Sequence, residues 1–88
     1  MHPDEIRGLI LAALPEAQVT VRDMTGGGDH FEVTVVTAAF SGKALLDQHQ
    51  MVYQPLRAHM ADRIHALTLK TYSPEQWHRS PKPLPIVS

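Results

Sequence analysis

The chain has 88 residues, 43% hydrophobic and 19% charged, a balance that fits one domain with a single modest core and argues against disorder over most of its length. There is no cysteine, so disulfides and a thiol nucleophile are excluded, and no apolar run approaches the roughly 18–20 residues needed to cross a bilayer. Eight Lys plus Arg against nine Asp plus Glu leave a formal charge of −1, without the basic surplus of a dedicated nucleic-acid binder.

The N-terminus, Met1-His2-Pro3-Asp4-Glu5, is acidic and has neither the positive flank nor the apolar stretch of a secretory signal, which points to the cytoplasm. Pro3 suits the first turn of a helix, and Asp4 and Glu5 complement the positive end of its dipole. Ile6, Leu9, Ile10, Ala13 and Leu14 follow the spacing of one buried face, and Pro15 stops the helix. Ala17, Val19 and Val21 alternate with Gln18, Thr20 and Arg22, as in a strand with one wet face. The glycine-rich stretch from Asp23 to Asp29 suits a flexible hairpin connection. A second strand follows, with Phe31, Val33 and Val35 on one face and His30, Glu32 and Thr34 on the other, so the two strands are expected to pair antiparallel.

Phe40-Ser41-Gly42-Lys43 reads as a turn in which Ser41 caps the next helix. Leu45, His49, Val52, Leu56 and Met60 then fall on one stripe, with Leu46 and Tyr53 beside it. Pro55 predicts a kink or restart, giving a main helix from about 44 to 54 and a shorter continuation to about 61. Ile64 to Tyr72 reads as a third strand, with Leu67 and Leu69 on the face of His65 and with Thr68 and Lys70 opposite. Ser73-Pro74-Glu75-Gln76-Trp77 carries the signals of a short final helix. Pro81, Pro83 and Pro85 mark residues 79–88 as a flexible tail after a domain spanning 1–78. The fold class is α+β in the order α-β-β-α-β. A strand–helix–strand passage makes a right-handed crossover between parallel strands, so a three-stranded mixed sheet with helices on one face is expected.

Few residues form a chemical constellation. Gly26-Gly27-Gly28 leads into a strand, whereas a phosphate-cradling loop leads into a helix N-terminus. No two histidines stand at i, i+4 in a His-Glu-x-x-His pattern, which leaves a zinc hydrolase without support. Ser41 lacks the glycine context of a nucleophile. No enzyme is predicted. His49, in the apolar stripe, is expected to be a buried, hydrogen-bonded residue. His30 and His65, from different segments, are candidates to meet at one end of the sheet; two ligands half fill a metal site, so another molecule would complete it.

Five ordered blocks extend this reading: His30-Phe31-Glu32-Val33, Phe40-Ser41-Gly42-Lys43, Gln48-His49-Gln50-Met51-Val52-Tyr53, Ile64-His65-Ala66-Leu67 and Tyr72-Ser73-Pro74-Glu75-Gln76-Trp77. In order and spacing they resemble the signatures of the BolA family, over about residues 3 to 78. The resemblance implies a fold similar to class II KH domains. It also implies partnership with a monothiol glutaredoxin of the Cys-Gly-Phe-Ser type, in which a 2Fe-2S cluster is shared by the glutaredoxin cysteine, glutathione and the BolA-like chain. His65 matches the family's ligand at the start of the last strand. The second ligand of the family comes from the loop between the first two strands, where this chain has Gly28 in the place of a frequent cysteine. His30 is the substitute it offers, with Asp29 as an oxygen-donor alternative.

Other family members are described as DNA-binding regulators linked to stress. By resemblance, that surface lies around Phe40 to Tyr53, where arginines often flank the central histidine; here Gln48 and Gln50 stand in those places. Lys43, Arg57, Arg63 and Lys70 supply the positive charge available for this alternative.

Overall fold

The computed structural model describes residues 1–60, 64 and 66–79. Helix α1 (Pro3–Ala13) begins as its sequence dictates, with Pro3 in the first turn. The His2 ring accepts at Nδ1 from the Asp4 N–H (3.1 Å), and the Glu5 carboxylate accepts from the His2 N–H (3.1 Å). These contacts occupy donors that a helix start leaves open. Ile6 and Ile10 are its fully buried residues.

Strand β1 (Gln18–Asp23) runs antiparallel to β2 (His30–Val36), which pairs in parallel with β3 (Ala66–Tyr72). The sheet order is β1-β2-β3, so β2 is central. Its inward residues Phe31, Val33 and Val35 are buried with Ile6, Ile10, Val19, Phe40, Val52, Leu56 and Ile64 in one core. Full burial of such side chains contributes roughly 1.5–3 kcal/mol each. The α-β-β-α-β order and the mixed sheet are therefore present as expected.

After β2, Thr37 caps a 3₁₀ turn (Ala38–Phe40), its hydroxyl accepting from the Ala39 N–H (3.2 Å), and this turn drives Phe40 into the core. Helix α2 (Leu45–Met60) departs from the sequence expectation in two ways. It is continuous through Pro55, with no restart. Proline removes one helical N–H, and burial of Val52 and Leu56 on either side of it supports the helix across that gap. The buried positions are also Gln48, Val52 and Leu56, while Leu45 and Leu46 are 61% and 68% exposed. His49, expected in the core, is half-buried, with its ring edge-on to Tyr53 at 6.4 Å.

Helices α1 and α2 cover the face that carries Phe31, Val33 and Val35. The short α3 (Pro74–Arg79) instead stands at the end of β3. Ser73 caps it reciprocally: its hydroxyl accepts from the Gln76 N–H (3.1 Å), and the Gln76 side chain accepts from the Ser73 N–H (2.8 Å). The Trp77 ring packs on Tyr72 at 5.2 Å, and strand alternation puts Tyr72 on the face away from the helices. On that open face Glu32 lies between Arg22 (3.6 Å) and Lys70 (3.7 Å). Residues 80–88, which include all but the first residue of the expected tail, lie outside the described residues. Among the described residues, no helix is long and apolar enough to cross a membrane.

Candidate functional site

Asp23 ends β1 and gathers the loop that follows. Its Oδ1 accepts from the N–H groups of Thr25 (3.3 Å) and Gly26 (2.9 Å), and its Oδ2 accepts from Gly28 (2.9 Å). Gly26 and Gly28 both adopt positive φ (77° and 76°), the left-handed region that glycine occupies without strain. A stretch that reads as plain flexible connection thus has an internal framework. Glycine at 28 fits for a second reason: a Cβ there would stand 3.1 Å from the backbone N and O of Met1. Met1 also donates its amino group to the Gly28 carbonyl at 2.7 Å.

The loop delivers His30 to the first position of β2, where its side chain is 40% exposed. The Met24 N–H donates to the His30 carbonyl (2.8 Å), closing the hairpin ladder. Across the other edge, His30 is in register with Ala66, and the Ala66 N–H donates to the Asp29 carbonyl (3.1 Å). Asp29 Oδ2 lies 3.7 Å from His30 Nε2, within ion-pair reach when the imidazole is protonated. His65 itself lies outside the described residues; in the chain it immediately precedes Ala66.

Among the described residues, no three or more His, Asp or Glu side chains group so as to hold a metal ion. His30 and Asp29 bring one imidazole and one carboxylate to the rim of the sheet. Such a donor set fits a centre whose remaining ligands come from elsewhere, and it does not make a closed site among the described residues.

The residues considered for nucleic-acid contact are dispersed. Gln48 is 1% exposed. Its Nε2 donates to the carbonyls of Lys43 (3.0 Å) and Phe40 (3.3 Å), and its Oε1 accepts from the Thr71 hydroxyl (2.8 Å). It is therefore a core residue and is removed from any DNA-facing set: its amide is needed inside by backbone carbonyls of the preceding turn. Lys43 and Gln50 are exposed and line a groove of about 610 Å³ with Ala13, Leu14, Met51 and Gln54. Arg57 is exposed in the last turn of α2, far along the helix from Lys43. Lys70 is engaged with Glu32 across the open face, and Arg63 lies outside the described residues.

Sequence reasoning passed over Asp23 and treated Asp29 only as a possible donor. The signal was present in Asp23 standing three residues before a run of glycines, since an aspartate before a turn accepts from the N–H groups after it.

A family model described as BolA-like protein matches residues 12–76. The chain belongs to the BolA family. It is 39% identical to the acid stress protein IbaG of Escherichia coli strain K12 over 83 residues, which cover 93% of this chain and 95% of that protein. It is 36% identical to the DNA-binding transcriptional regulator BolA of the same strain over 52 residues, 59% of this chain and 50% of that protein. The solved structure of a BolA homologue from Coxiella burnetii superposes with a TM-score of 0.75 at 36% identity, covering 90% of this chain and 99% of that one. The three helices and mixed three-stranded sheet described above are thus those of a BolA fold, and the loop from Asp23 to His30 is its β1–β2 connection.

Proposed function

We propose that this BolA-family chain works without catalysis of its own, in the cytoplasm, as the partner of a monothiol glutaredoxin of the Cys-Gly-Phe-Ser type. Together with the glutaredoxin cysteine and glutathione it shares a 2Fe-2S cluster, in cluster trafficking or iron sensing. His65 and His30 are the ligands this chain contributes. The observation that supports the reading is the position of His30: its half-exposed imidazole begins the central strand, in register with Ala66, one residue after His65. Glycines 26 to 28 add no side chains to the loop that adjoins His30. Histidine ligation of an iron raises the cluster's potential relative to cysteine.

The test mixes the purified chain with such a glutaredoxin, glutathione, iron and sulfide under anaerobic conditions and records visible absorption and circular dichroism. A one-to-one heterodimer with its own cluster spectrum is expected, weakened by His65→Ala and altered by His30→Ala. A spectrum identical to that of the glutaredoxin alone, or insensitive to both substitutions, refutes the reading.

A second reading, a DNA-binding regulator linked to stress response, is favoured by the relative named as such and by the exposed Lys43, Gln50 and Arg57. It requires salt-dependent binding in which each lost phosphate contact lowers the slope of log K against log salt by about 0.9. Equal affinity for promoter and random fragments, unaffected by Lys43→Ala, rules it out.

A further inference from the structure

The start of α2 carries apolar surface that the fold leaves uncovered. Among the described residues, the large hydrophobic side chains open to solvent are Met24, Leu45 and Leu46, and the two leucines are neighbours. Single exposed leucines are ordinary, but this pair adjoins further apolar surface. Leu46 stands one helical turn before Gln50, which lines the groove of about 610 Å³ where α2 meets the end of α1. The apolar lining of that groove is Ala13, Leu14, Met51 and Pro55. Its charged lining is one lysine and one aspartate, Lys43 and Asp47, both exposed. Neither makes an ion pair with another described residue.

We propose that this face binds a second copy of the chain, about a two-fold axis that passes beside Leu45 and Leu46. The charges decide the occupant. In a two-fold contact, residue i of each copy meets residue j of the other, so the patch must complement itself. Lys43 and Asp47 stand two positions before and two positions after Leu45. Two copies that cross antiparallel at this point bring each Lys43 to the Asp47 of the other, with the leucines enclosed between the two pairs. Apolar side chains at the centre and opposite charges at the rim are the ordinary anatomy of a protein interface. A nucleic acid would meet the Asp47 carboxylate whenever it approached Lys43, whereas a second copy turns both charges to use. The proposal is independent of the glutaredoxin reading. The groove meets the end of α1, whereas the loop that leads to His30 meets Met1, before that helix begins.

Sedimentation equilibrium of the full chain, from about 1 μM to about 1 mM, tests the proposal, since the folded dimer is then populated by mass action. A mass that rises from one chain to two over that range is expected. Leu46→Lys should weaken the association by about thirtyfold, as loss of a central apolar anchor does. Lys43→Asp and Asp47→Lys, each alone, oppose like charges and should weaken it by about tenfold. The double swap, Lys43→Asp with Asp47→Lys, should recover most of the wild-type affinity, because the pairs are then restored with their signs exchanged. All four positions changed or compared are exposed, so circular dichroism should show the wild-type fold in each variant. A chain that stays monomeric at every concentration overturns the proposal. A dimer indifferent to Leu46→Lys, or a double swap no tighter than the single ones, overturns it as well. If the wild-type chain is monomeric and Lys43→Asp lowers its affinity for a DNA fragment, the face belongs to the DNA-binding reading instead.

Discussion

Replacing Gln48 with alanine should destabilise the fold strongly, and the size of the effect follows from what the amide leaves behind. Its Nε2 reaches the carbonyls of Lys43 and Phe40 and the Gln76 side-chain oxygen (3.4 Å), while Oε1 accepts from Thr71. The Phe40 carbonyl keeps the Lys43 N–H (3.1 Å) and is not orphaned by the change. The Thr71 hydroxyl, in a residue 6% exposed, loses the partner shown here. Stranding a buried hydroxyl costs about 1–3 kcal/mol, and each further lost hydrogen bond costs about 1 kcal/mol. A total of about 3 kcal/mol is expected, which for a domain of this size lowers Tm by roughly 12–24 °C. Thermal unfolding followed by circular dichroism measures it, with Gln50→Ala as the exposed comparison, expected within about 0.5 kcal/mol of wild type. Adding Thr71→Val to Gln48→Ala should cost clearly less than the sum of the two, since both ends of one bond are then gone. A Gln48→Ala loss below about 1 kcal/mol, or strict additivity with Thr71→Val, refutes this account of the core.

Gly26→Ala and Gly28→Ala both force alanine into the left-handed region and should each cost about 1–2 kcal/mol in urea unfolding. Gly28→Ala should cost more, because its Cβ meets the Met1 backbone at 3.1 Å while that of Gly26 meets open space; equal losses contradict the packing. Ser73→Ala removes the cap of α3 and should lower stability by about 1 kcal/mol, with a change in Trp77 fluorescence if the Tyr72 contact depends on that helix. Pro55→Ala restores a helical N–H in the middle of α2 and should raise Tm; a lower Tm means the ring's packing outweighs the missing bond.

The elements with plain periodicity were legible from the chain: the Ile6–Ile10 face of α1, the alternation of β1 and β2, and the capped start of α3. The facing of α2 was not. Hydrophobicity places Leu45 and Leu46 inward, but a glutamine takes the core position because the preceding turn turns carbonyls inward and Thr71 presents a hydroxyl from β3, 23 positions away in the chain. Such a match becomes visible only after the strand is placed. The same limit applies to the site. His30 stood out as a histidine at a strand boundary, whereas its pairing with Ala66 depends on the parallel register, and the role of Asp23 depends on three backbone N–H groups converging on one carboxylate.

The glutaredoxin reading and the Lys43–Gln50 part of the DNA reading draw on different ends of the molecule, which makes those two separable; Arg57, in the last turn of α2, stands apart from that groove. The β1–β2 connection meets Met1, just before α1 begins, whereas the Lys43–Gln50 groove meets Ala13 and Leu14, where α1 ends. Eleven helical residues at about 1.5 Å each put roughly 16 Å between those ends. That distance exceeds a Debye length at physiological salt, about 8 Å, so a charge removed at one end has little reach to the other. Lys43→Ala should therefore leave the cluster spectrum of a glutaredoxin complex unchanged while lowering any affinity for DNA, and His30→Ala should do the reverse. If Lys43→Ala perturbs the cluster as much as His30→Ala does, the partner's footprint runs along the helical layer as well as the strand rim, and DNA and glutaredoxin must compete for this chain.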